Sequence, residues 1–370
     1  MELCTEFGGG GIARHVLDLS QSLREMGHDI TCAGSAGVLL DKNIDPGFFL
    51  LPIVSVSDAS GAVPARMLNA FRCARLLRKE LHRQPVDLIH CHESAPALVA
   101  RLATLRMRIP ILLTFHGSEP GRVKQFGAIG RRCAQTVITP SRHCAEDLHE
   151  RGGVPSDRLR VIGLGIKPAP KADSDQVSRT RTELLGKDGK TLVVVVARAT
   201  YQKGLDILVH VVARVLQRRD DVHFVIAGEG PLIDSIRLLA REQKVDQHMH
   251  FVGHTASPYT LLHSADLFLL TSRWEALPIS IVEAMRTGLP VVAADVGGVR
   301  EMVDSTTGAV VPMGDVDEFA DHVLRIAADD DLRARMSSAA LKRSQEDRFS
   351  PAFVHKEFER LYQTTLERAR

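Results

Sequence analysis

The chain has 370 residues, which is long for one hydrophobic core, so we expect two domains. Hydrophobic residues make up 44% and charged residues 25%, which is typical of an ordinary soluble globular protein. The six cysteines are scattered without C-x2-C spacing, so we expect reduced, buried thiols and no disulfide framework. No apolar run approaches the roughly 18 residues of a membrane-spanning helix. Nothing at the start resembles a secretory signal, so the cytoplasm is the expected location. The basic excess lies in residues 1–168. It favours an anionic acceptor or membrane surface, and no nucleic-acid motif accompanies it.

A glycine string opens the first predicted helix. Gly8, Gly10 and Ala13 satisfy the pattern G-x-G-x-x-A, and backbone N–H groups at such a turn can hold a phosphate. A nicotinamide-binding enzyme is therefore one interpretation. Its fingerprint requires a full preceding strand and an acid about 20 residues later, which binds the ribose. Only MELCTEF precedes these glycines, so the strand is abbreviated or the true start lies upstream, and the second strand ends without an acid.

Residues 64–83 predict a basic amphipathic helix. Apolar residues such as Phe71 and Leu77 recur on one face, and Arg72, Arg75 and Lys79 lie on the other. A surface helix packed on a sheet is the commoner outcome of this pattern. The alternative is attachment to an anionic bilayer through 64–83.

A buried strand in residues 86–94 ends in a group of possible metal ligands. His90 and His92 alternate with Cys91, so the cysteine is expected to face away from the two histidines. No partner cluster elsewhere in the sequence completes a metal site. We therefore expect this strand end to line a cleft without a metal.

A second buried strand in residues 109–120 ends in the string T-x-H-G, which contains His116. A single histidine at a strand end is more often structural than catalytic. The residues alone therefore leave the role of His116 open.

A polar, lysine- and aspartate-rich stretch at 169–190 is typical of an interdomain linker. The apolar strand 192–197 follows, and Arg198 and Lys203 come directly after it. Cations after a strand end are usually solvated, so neither one alone indicates a function.

The most informative stretch is 264–303. It reads as a strand at Leu267–Leu270, a polar loop, a helix and a strand at Leu289–Ala293. Glu275 and Glu283 bracket the start of the helix. If helical geometry held throughout, their Cα atoms would lie about 12 Å apart. Retaining glycosidases hold their carboxyl groups about 5 to 5.5 Å apart, so the spacing fits two contact points on one elongated ligand better.

The string EALPISIVE, followed by GLPVVAADVGGVREMV, resembles the E-x7-E signature of family-4 glycosyltransferases. These are retaining enzymes of the GT-B fold. The resemblance covers nearly the whole chain, since the glycine string, the T-x-H-G string and the R-x4-K-G string of Arg198 and Lys203 also match. One departure is VIGLGIKP at 161–168, which lacks the family's Asn-Gly pair.

The resemblance implies an α/β protein with two Rossmann-like α/β/α domains facing across a cleft. The implied parts are an acceptor-side domain (1–168), a linker (169–190), a nucleotide-sugar domain (191–349) and a helix crossing back to the first domain (350–370).

The resemblance also implies roles for particular residues. Arg198 and Lys203 clamp the donor diphosphate, and Glu283 accepts from the ribose hydroxyls. His116 and Glu275 are the implied catalytic residues beside the transferred sugar. The full implied donor-binding set is Gly10, Gly11, Arg198, Lys203, Val252, Gly253, His254, Glu275, Ala276, Leu277, Pro278, Ile279 and Glu283.

The implied activity is transfer of a hexose from UDP or GDP to a glycan or lipid-linked acceptor in cell-envelope or exopolysaccharide synthesis. We expect retention by front-face substitution, with no metal and no cofactor beyond the nucleotide-sugar substrate. The D-x-D strings at 173–175 and 315–317 lie in linker and loop contexts. A GT-B epimerase or hydrolase, a nicotinamide-dependent oxidoreductase and a non-catalytic sugar-nucleotide sensor are the alternatives.

Overall fold

A computed structural model describes every residue except 9, 38, 40–46, 55–62, 187–189, 256 and 370. The chain divides into two compact units. Unit 1 contains residues 1–165 and 350–370, and unit 2 contains residues 166–349.

Unit 1 is built on a sheet of seven parallel strands. Their order is β3-β2-β1-β4-β5-β6-β7, so the direction of winding reverses between β1 and β4. The strands are β1 (Glu2–Glu6), β2 (Cys32–Ser35), β3 (Phe48–Leu50), β4 (Ile89–Cys91), β5 (Ile111–Thr114), β6 (Thr136–Thr139) and β7 (Leu159–Val161).

The helices of unit 1 follow the strands and cover the sheet. The spacing of Val16, Leu19 and Leu23 places all three on one buried face of the first helix. The helices in this part of the chain are α1 (Gly11–Glu25), α2 (Val63–Arg83), α3 (Ser94–Ala103), α4 (Val123–Cys133) and α5 (Arg142–Glu150).

Unit 2 repeats the plan with six parallel strands. The order β10-β9-β8-β11-β12-β13 is the doubly wound Rossmann order 3-2-1-4-5-6, and it reverses between β8 and β11. The strands are β8 (Thr191–Val196), β9 (Val222–Ala227), β10 (Met249–Gly253), β11 (Leu267–Leu270), β12 (Val291–Ala294) and β13 (Gly308–Val311). Valine-rich runs form the central strands because both faces of a parallel sheet are buried.

The helices of unit 2 include one that the linker prediction did not anticipate. They are α6 (Ser174–Leu185), α7 (Leu205–Leu216), α8 (Ile233–Glu242), α9 (Tyr259–Ser264), α10 (Ile279–Arg286), α11 (Val299–Met302), α12 (Val316–Ala328) and α13 (Asp330–Arg343).

The linker predicted at 169–190 is therefore corrected, except for residues 187–189, which lie outside the described residues. The side chain of Asp173 caps α6 by accepting from the N–H groups of Asp175 and Gln176. Arg181 then ties the helix to unit 2 through Asp266 at 2.9 Å. These contacts are polar, so the apolar pattern gave little sign of a packed helix.

The last helix, α14 (Pro351–Ala369), belongs to unit 1. Val354 and Phe358 are buried in the same core as Val16 and Leu19 of α1. His355 Nδ1 also lies 2.7 Å from the hydroxyl of Ser22. The unit therefore depends on contacts between the two ends of the chain.

The signature stretch of unit 2 folds nearly as its sequence predicts. The strand at Leu267–Leu270 is confirmed, whereas the next strand is shifted to Val291–Ala294. The shift arises because Gly288 (φ +79°) and Leu289 close α10 by donating to Met285 and Ala284. Within the described part of the chain, no helix is long and apolar enough to cross a membrane.

Candidate active site

Two loops of unit 2 leave the sheet where the strand order reverses. One follows β8 and carries Arg198 and Lys203, and the other follows β11 and carries Glu275. Ligands of open parallel sheets bind outside the carboxyl ends of the strands at such a reversal. The topology therefore places these three predicted residues at the position where a ligand is expected.

Lys203 and Glu275 join the two loops directly. The ammonium group of Lys203 pairs with Glu275 Oε1, and the exposed fractions of the two side chains are only 17% and 6%. The hydroxyl of Ser272 donates to the same oxygen at 2.7 Å. Arg198, by contrast, is exposed. The edge thus presents one solvated cation beside a partly buried ion pair.

A second ion pair fixes the β11 loop to the start of α7. Both terminal nitrogens of Arg273 bind the carboxylate of Asp206, and its guanidinium lies 4.0 Å above the ring of Tyr201. Hydrogen bonds from Arg273 hold the pKa of Asp206 below its usual value. The sequence analysis did not identify this clamp, which restricts the positions that Lys203 and Glu275 can take.

Glycine is required where the backbone passes Glu275. Gly297 has φ +55°, and a Cβ there would lie 1.8 Å from the carbonyl oxygen of Glu275. The neighbouring Gly298 N–H donates to the carbonyl of Ala276 at 2.9 Å. A second segment of unit 2 thereby fixes the backbone of residues 275–276.

Helix α10 begins directly after this loop. Pro278 is its N-cap, and Ile279 is its first helical residue. The first N–H groups of a helix have no intrahelical acceptor, so this end can bind an anion. Leu277 is buried just before the cap, and Glu283 is half-buried on the helix.

At the end of β10, which the resemblance assigns to base recognition, two backbone groups are already hydrogen-bonded within the protein. The N–H of His254 donates to Glu229 Oε1 at 3.2 Å, and the carbonyl of Gly253 accepts from Gly228 at 2.8 Å. Val252 is exposed beside them. These two backbone groups would have to exchange partners before they could bind a base.

In unit 1, the glycine string lies at the equivalent edge. Gly10 is the N-cap of α1, which begins at Gly11. A Cβ on Gly10 would meet no atom of the described residues within 4 Å. Protein packing therefore does not require glycine there, and a ligand can approach closely.

His116 begins the loop after β5. The N–H of Phe115 still donates to Ile138 at 2.7 Å, so the histidine lies at the sheet edge. His92 and Glu93 follow β4, and with His116 they line a cavity of about 140 Å³. The structure thus brings together the two strand ends that carry the predicted histidines.

The histidines belong to a buried network that the sequence analysis missed. Glu2 Oε2 lies 2.7 Å from His92 Nε2, and His92 Nδ1 lies 3.3 Å from His116 Nε2. His90 contacts Glu2 at 3.1 Å and Tyr362 at 2.6 Å. The sequence signal of the network is Glu2 itself, because a charged residue there occupies a buried position of a strand.

Burial sets the protonation of this network. Burial opposes the charged carboxylate of Glu2, but His90 and His92 outweigh it and hold the pKa of Glu2 well below its usual value. Burial lowers the pKa of His92 to about 4. It also keeps the pKa of His116 well below the usual value, with His92 and His15 adding to the effect. An ionised Glu2 carboxylate therefore lies in a network with neutral His92 and His116 at physiological pH.

The expectation that no partner completes the histidine cluster is corrected. One ligand atom each of Glu2, His90 and His92 lies within 4.8 Å of the others, so the three could reach a common ion. Their atoms already take part in the hydrogen bonds described above, which coordination would break. The D-x-D strings are also explained, because Asp173 and Asp315 cap α6 and α12.

In both units, the carboxyl edge of the parallel sheet offers helix N-termini that can bind a phosphorylated ligand. Comparison with known proteins identifies the class of protein. The family described as Glycosyltransferase Family 4 matches residues 9–169, and the family described as Glycosyl transferases group 1 matches residues 177–343.

Named relatives agree with these matches. The phosphatidyl-myo-inositol mannosyltransferase of Mycolicibacterium smegmatis is 27% identical over 366 residues, covering 96% of this chain and 90% of the relative. The alpha-D-kanosaminyltransferase of Streptomyces kanamyceticus is 27% identical over 286 residues, covering 71% and 74%.

Solved structures agree on the fold. Anabaena HepE in complex with UDP and glucose superposes with a TM-score of 0.82 at 19% identity, covering 98% of both chains. WaaG, a glycosyltransferase involved in lipopolysaccharide biosynthesis, superposes with a TM-score of 0.76 at 16% identity, covering 96% of this chain and 98% of WaaG. The predicted GT-B fold of two Rossmann-like units is confirmed. The chain belongs to glycosyltransferase family 4.

Proposed function

We propose that this glycosyltransferase transfers the hexose of a UDP- or GDP-hexose to a glycan or lipid-linked acceptor of the cell envelope. The anomeric configuration of the hexose is retained. The observation that carries the donor assignment is the Lys203–Glu275 pair, which joins the two loops at the strand-order reversal of unit 2. Positive charge at that edge can neutralise a diphosphate as the bond to the sugar breaks.

Each donor-site residue has a distinct role in this proposal. Arg198 is exposed and can approach the diphosphate, while Lys203 divides its charge between the phosphate and Glu275. The α10 N-terminus adds backbone donors for the same anion. Glu275 then faces the sugar hydroxyls, and Glu283 accepts from the ribose.

The remaining assignments concern the base, the glycine string and the reacting centre. Val252 and the backbone of residues 252–254 contact the base, and Gly10 and Gly11 approach the diphosphate. His116 supplies a hydrogen-bonding group beside the transferred sugar.

Retention and metal independence complete the proposal. The leaving phosphate assists substitution on the same face of the sugar, because the only carboxylate assigned to the sugar, Glu275, is engaged by Lys203 and Ser272. Arg198 and Lys203 supply the positive charge that a metal ion supplies to phosphates in other enzymes.

The acceptor assignment rests on the names of relatives. One similar protein acts on phosphatidyl-myo-inositol, and WaaG takes part in lipopolysaccharide biosynthesis. Both names indicate a lipid-linked acceptor of the cell envelope, so we propose the same acceptor class and a location on the cytoplasmic side of the membrane.

The first test is thermal unfolding with UDP, GDP, ADP and NAD, each with and without a chelator. A ligand at 100 times its dissociation constant stabilises by about 2.7 kcal/mol, which raises the melting temperature measurably. We expect one nucleoside diphosphate to stabilise the protein equally with and without the chelator. Loss of that stabilisation in the chelator would contradict metal independence, and stabilisation by NAD alone would favour an oxidoreductase.

Turnover separates the remaining alternatives. A transferase consumes the nucleotide sugar only with an acceptor and gives an anomer of unchanged configuration. Acceptor-independent consumption would indicate an epimerase or hydrolase. Donor binding without turnover on any lipid-linked acceptor would indicate a sensor.

We also propose that the exposed face of α2 contacts an anionic membrane. Leu77 is buried as the pattern predicts, whereas Phe71 is 54% exposed, so its predicted place on the packed face is corrected. Leu68 is also 61% exposed, which is unusual for a large apolar side chain. Arg72, Arg75 and Lys79 are exposed on the same helix and border a groove of about 600 Å³. Apolar and cationic side chains together are typical of helices that lie in a membrane interface.

Vesicle co-sedimentation tests this surface. We expect binding to vesicles with anionic lipid and weak binding to zwitterionic vesicles. The double variant Arg72→Gln/Arg75→Gln should lose about 2 kcal/mol of binding, since each basic residue near the surface contributes about 1 kcal/mol. Arg241→Gln on α8 is the matched control, and equal binding of both variants would contradict the proposal.

A further inference from the structure

The proton arrangement of the unit 1 network determines what His116 can do. Glu2, His92 and His116 form a chain in which consecutive polar atoms lie 2.7 Å and 3.3 Å apart. Each of these two contacts holds one hydrogen. The direction of the first hydrogen bond therefore determines the direction of the second.

The first bond runs from His92 to Glu2. Tyr362 donates to Glu2 Oε1 at 2.8 Å, while His92 Nε2 and His90 Nδ1 approach Oε2. An ionised carboxylate can only accept hydrogen bonds, and this one is surrounded by possible donors. His92 Nε2 must therefore carry a hydrogen, whichever ring nitrogen of His90 is protonated.

The second bond follows by elimination. A neutral imidazole has one N–H, and His92 uses it on Glu2. His92 Nδ1 can then only accept, and the atom facing it is His116 Nε2 at 3.3 Å. His116 must donate from Nε2, which leaves its Nδ1 unprotonated.

We propose that Glu2 is a positioning residue for sugar transfer. Acting through His92, it holds His116 as the Nε2–H tautomer, so that Nδ1 of His116 accepts a hydrogen bond from a substrate hydroxyl at the unit 1 cavity. The assignment of that hydroxyl rests on the proposed transferase function. The tautomer itself does not rest on that function, because it follows from the contacts of the network together with an ionised Glu2 and a neutral His92.

The burial of Glu2 supports a positioning role rather than a purely stabilising one. The residue is 1% exposed, and β1 pairs with β4 so that Glu2 lies beside His90. Burying a carboxylate is costly, and well-packed apolar residues often replace buried charges without loss of stability. A carboxylate is required here if its negative charge must fix the direction of two hydrogen bonds.

The direct test is the tautomer of His116 in the full-length protein. Two-bond proton–nitrogen correlation spectra of protein labelled with ¹⁵N-histidine distinguish Nδ1–H from Nε2–H, and loss of a signal in His116→Gln assigns it. We expect Nε2–H in the unmodified protein at pH 7.5. A hydrogen on Nδ1 would overturn the proposal without any variant of Glu2.

Glu2→Gln tests the cause. Its amide has the same shape but can donate as well as accept, so the obligatory direction of the first bond is lost. We expect the His116 signal to shift toward Nδ1–H and kcat to fall about tenfold, with the donor KM within about twofold. Tyr362→Phe is the matched control, because it removes a different hydrogen bond to Glu2 and should leave the tautomer unchanged.

Each outcome separates this proposal from the proposed function. An unchanged His116 signal in Glu2→Gln overturns the positioning role, and so does a changed signal with unchanged kcat. If no nucleoside diphosphate stabilises the protein, the donor assignment fails while the spectrum still tests Glu2. If Glu2→Gln does not fold, the spectrum of the unmodified protein still tests the tautomer.

Discussion

The edge of unit 1 and the edge of unit 2 share one topology but have opposite chemistry. In both units the strand order reverses beside the first strand, and the loops that leave there carry the candidate site residues. Unit 2 presents an exposed Arg198 and the partly buried pair of Lys203 and Glu275. Unit 1 encloses Glu2 in a buried network that includes neutral His92 and His116.

This difference shows how one backbone plan serves two kinds of ligand. Cations at a solvated edge attract a diphosphate, whose charge they can neutralise without complete desolvation. Neutral imidazoles bind hydroxyl groups through hydrogen bonds whose directions are fixed by protonation. The comparison therefore predicts that charge-removing substitutions impair unit 2 most, and that acid affects unit 1 most.

The largest expected effect follows removal of the cation that joins the unit 2 loops. Lys203→Met keeps most of the side-chain length but removes the charge from the diphosphate and from Glu275. We expect kcat/KM to fall by about 100-fold or more, since one electrostatic contact to a transition state contributes that much. Steady-state kinetics with the stabilising nucleotide sugar measures it.

Arg219→Met is the matched control for Lys203→Met. Arg219 pairs with Asp221 at 2.9 Å, just before β9 and away from the strand ends that carry the site. A similar loss of activity in both variants would mean that Lys203 acts through general stability. A rate within twofold of the unmodified protein in Lys203→Met would remove the diphosphate assignment.

The second prediction tests the neutral character of unit 1. His15 is buried, neither ring nitrogen has a hydrogen-bond partner among the described residues, and burial holds its pKa well below 6.5. Below pH 6.5 the unfolded chain binds a proton there that the folded protein does not. Stability therefore falls as the pH falls, and at pH 5 this histidine alone costs up to about 2 kcal/mol, the limit for a site that stays unprotonated in the folded protein.

His15→Leu should remove that cost. Urea unfolding at pH 8 and pH 5 should show that the variant gains stability relative to the unmodified protein on going to pH 5, by up to about 2 kcal/mol. His82→Leu is the control, because His82 is exposed on α2. The same pH dependence for His15→Leu and the unmodified protein would show that His15 is protonated inside the fold.

The sequence predicted unit 2 better than unit 1 for a physical reason. Arg198, Lys203 and Glu275 lie on loops next to valine- and leucine-rich strands, so the strand signal and the charges are local in sequence. Glu2 and His92 meet because β1 pairs with β4, which brings together residues that are distant in the chain. No local pattern reports that pairing.

Other differences have the same origin. Asp173 caps a helix inside the predicted linker, and Arg273 of the β11 loop binds Asp206 at the start of α7. Both interactions are polar and depend on tertiary contact, so hydrophobic periodicity did not detect them. The strand Leu267–Leu270 was predicted correctly because a buried parallel strand is apolar throughout.

The third prediction concerns the ribose. Glu283→Ala should weaken UDP or GDP binding by about tenfold, the equivalent of one hydrogen bond of about 1.4 kcal/mol to a charged group. Calorimetric titration with the ribonucleotide and with its 2′-deoxy and 3′-deoxy forms measures this directly. The loss should shrink with whichever deoxy form lacks the contacted hydroxyl.

Glu242→Ala is the control for Glu283, since Glu242 is an exposed glutamate in the last turn of α8. Unchanged affinity in Glu283→Ala would remove the ribose assignment. An equal loss with all three nucleotides would instead mean that Glu283 supports α10 and does not bind the sugar ring of the nucleotide.

The prediction with the smallest expected effect distinguishes the positive charge of Lys203 from the orientation of the Glu275 carboxylate. Ser272→Ala removes the hydroxyl that donates to Glu275 Oε1 at 2.7 Å but leaves Lys203 in place. We expect a loss of about 1 kcal/mol, or roughly fivefold in kcat/KM, because one neutral hydrogen bond contributes about that much. Ser235→Ala, an exposed serine on α8 that donates to the carbonyl of Leu232, should leave the rate unchanged. A loss in Ser272→Ala as large as in Lys203→Met would mean that orientation of Glu275, rather than positive charge, governs the donor edge.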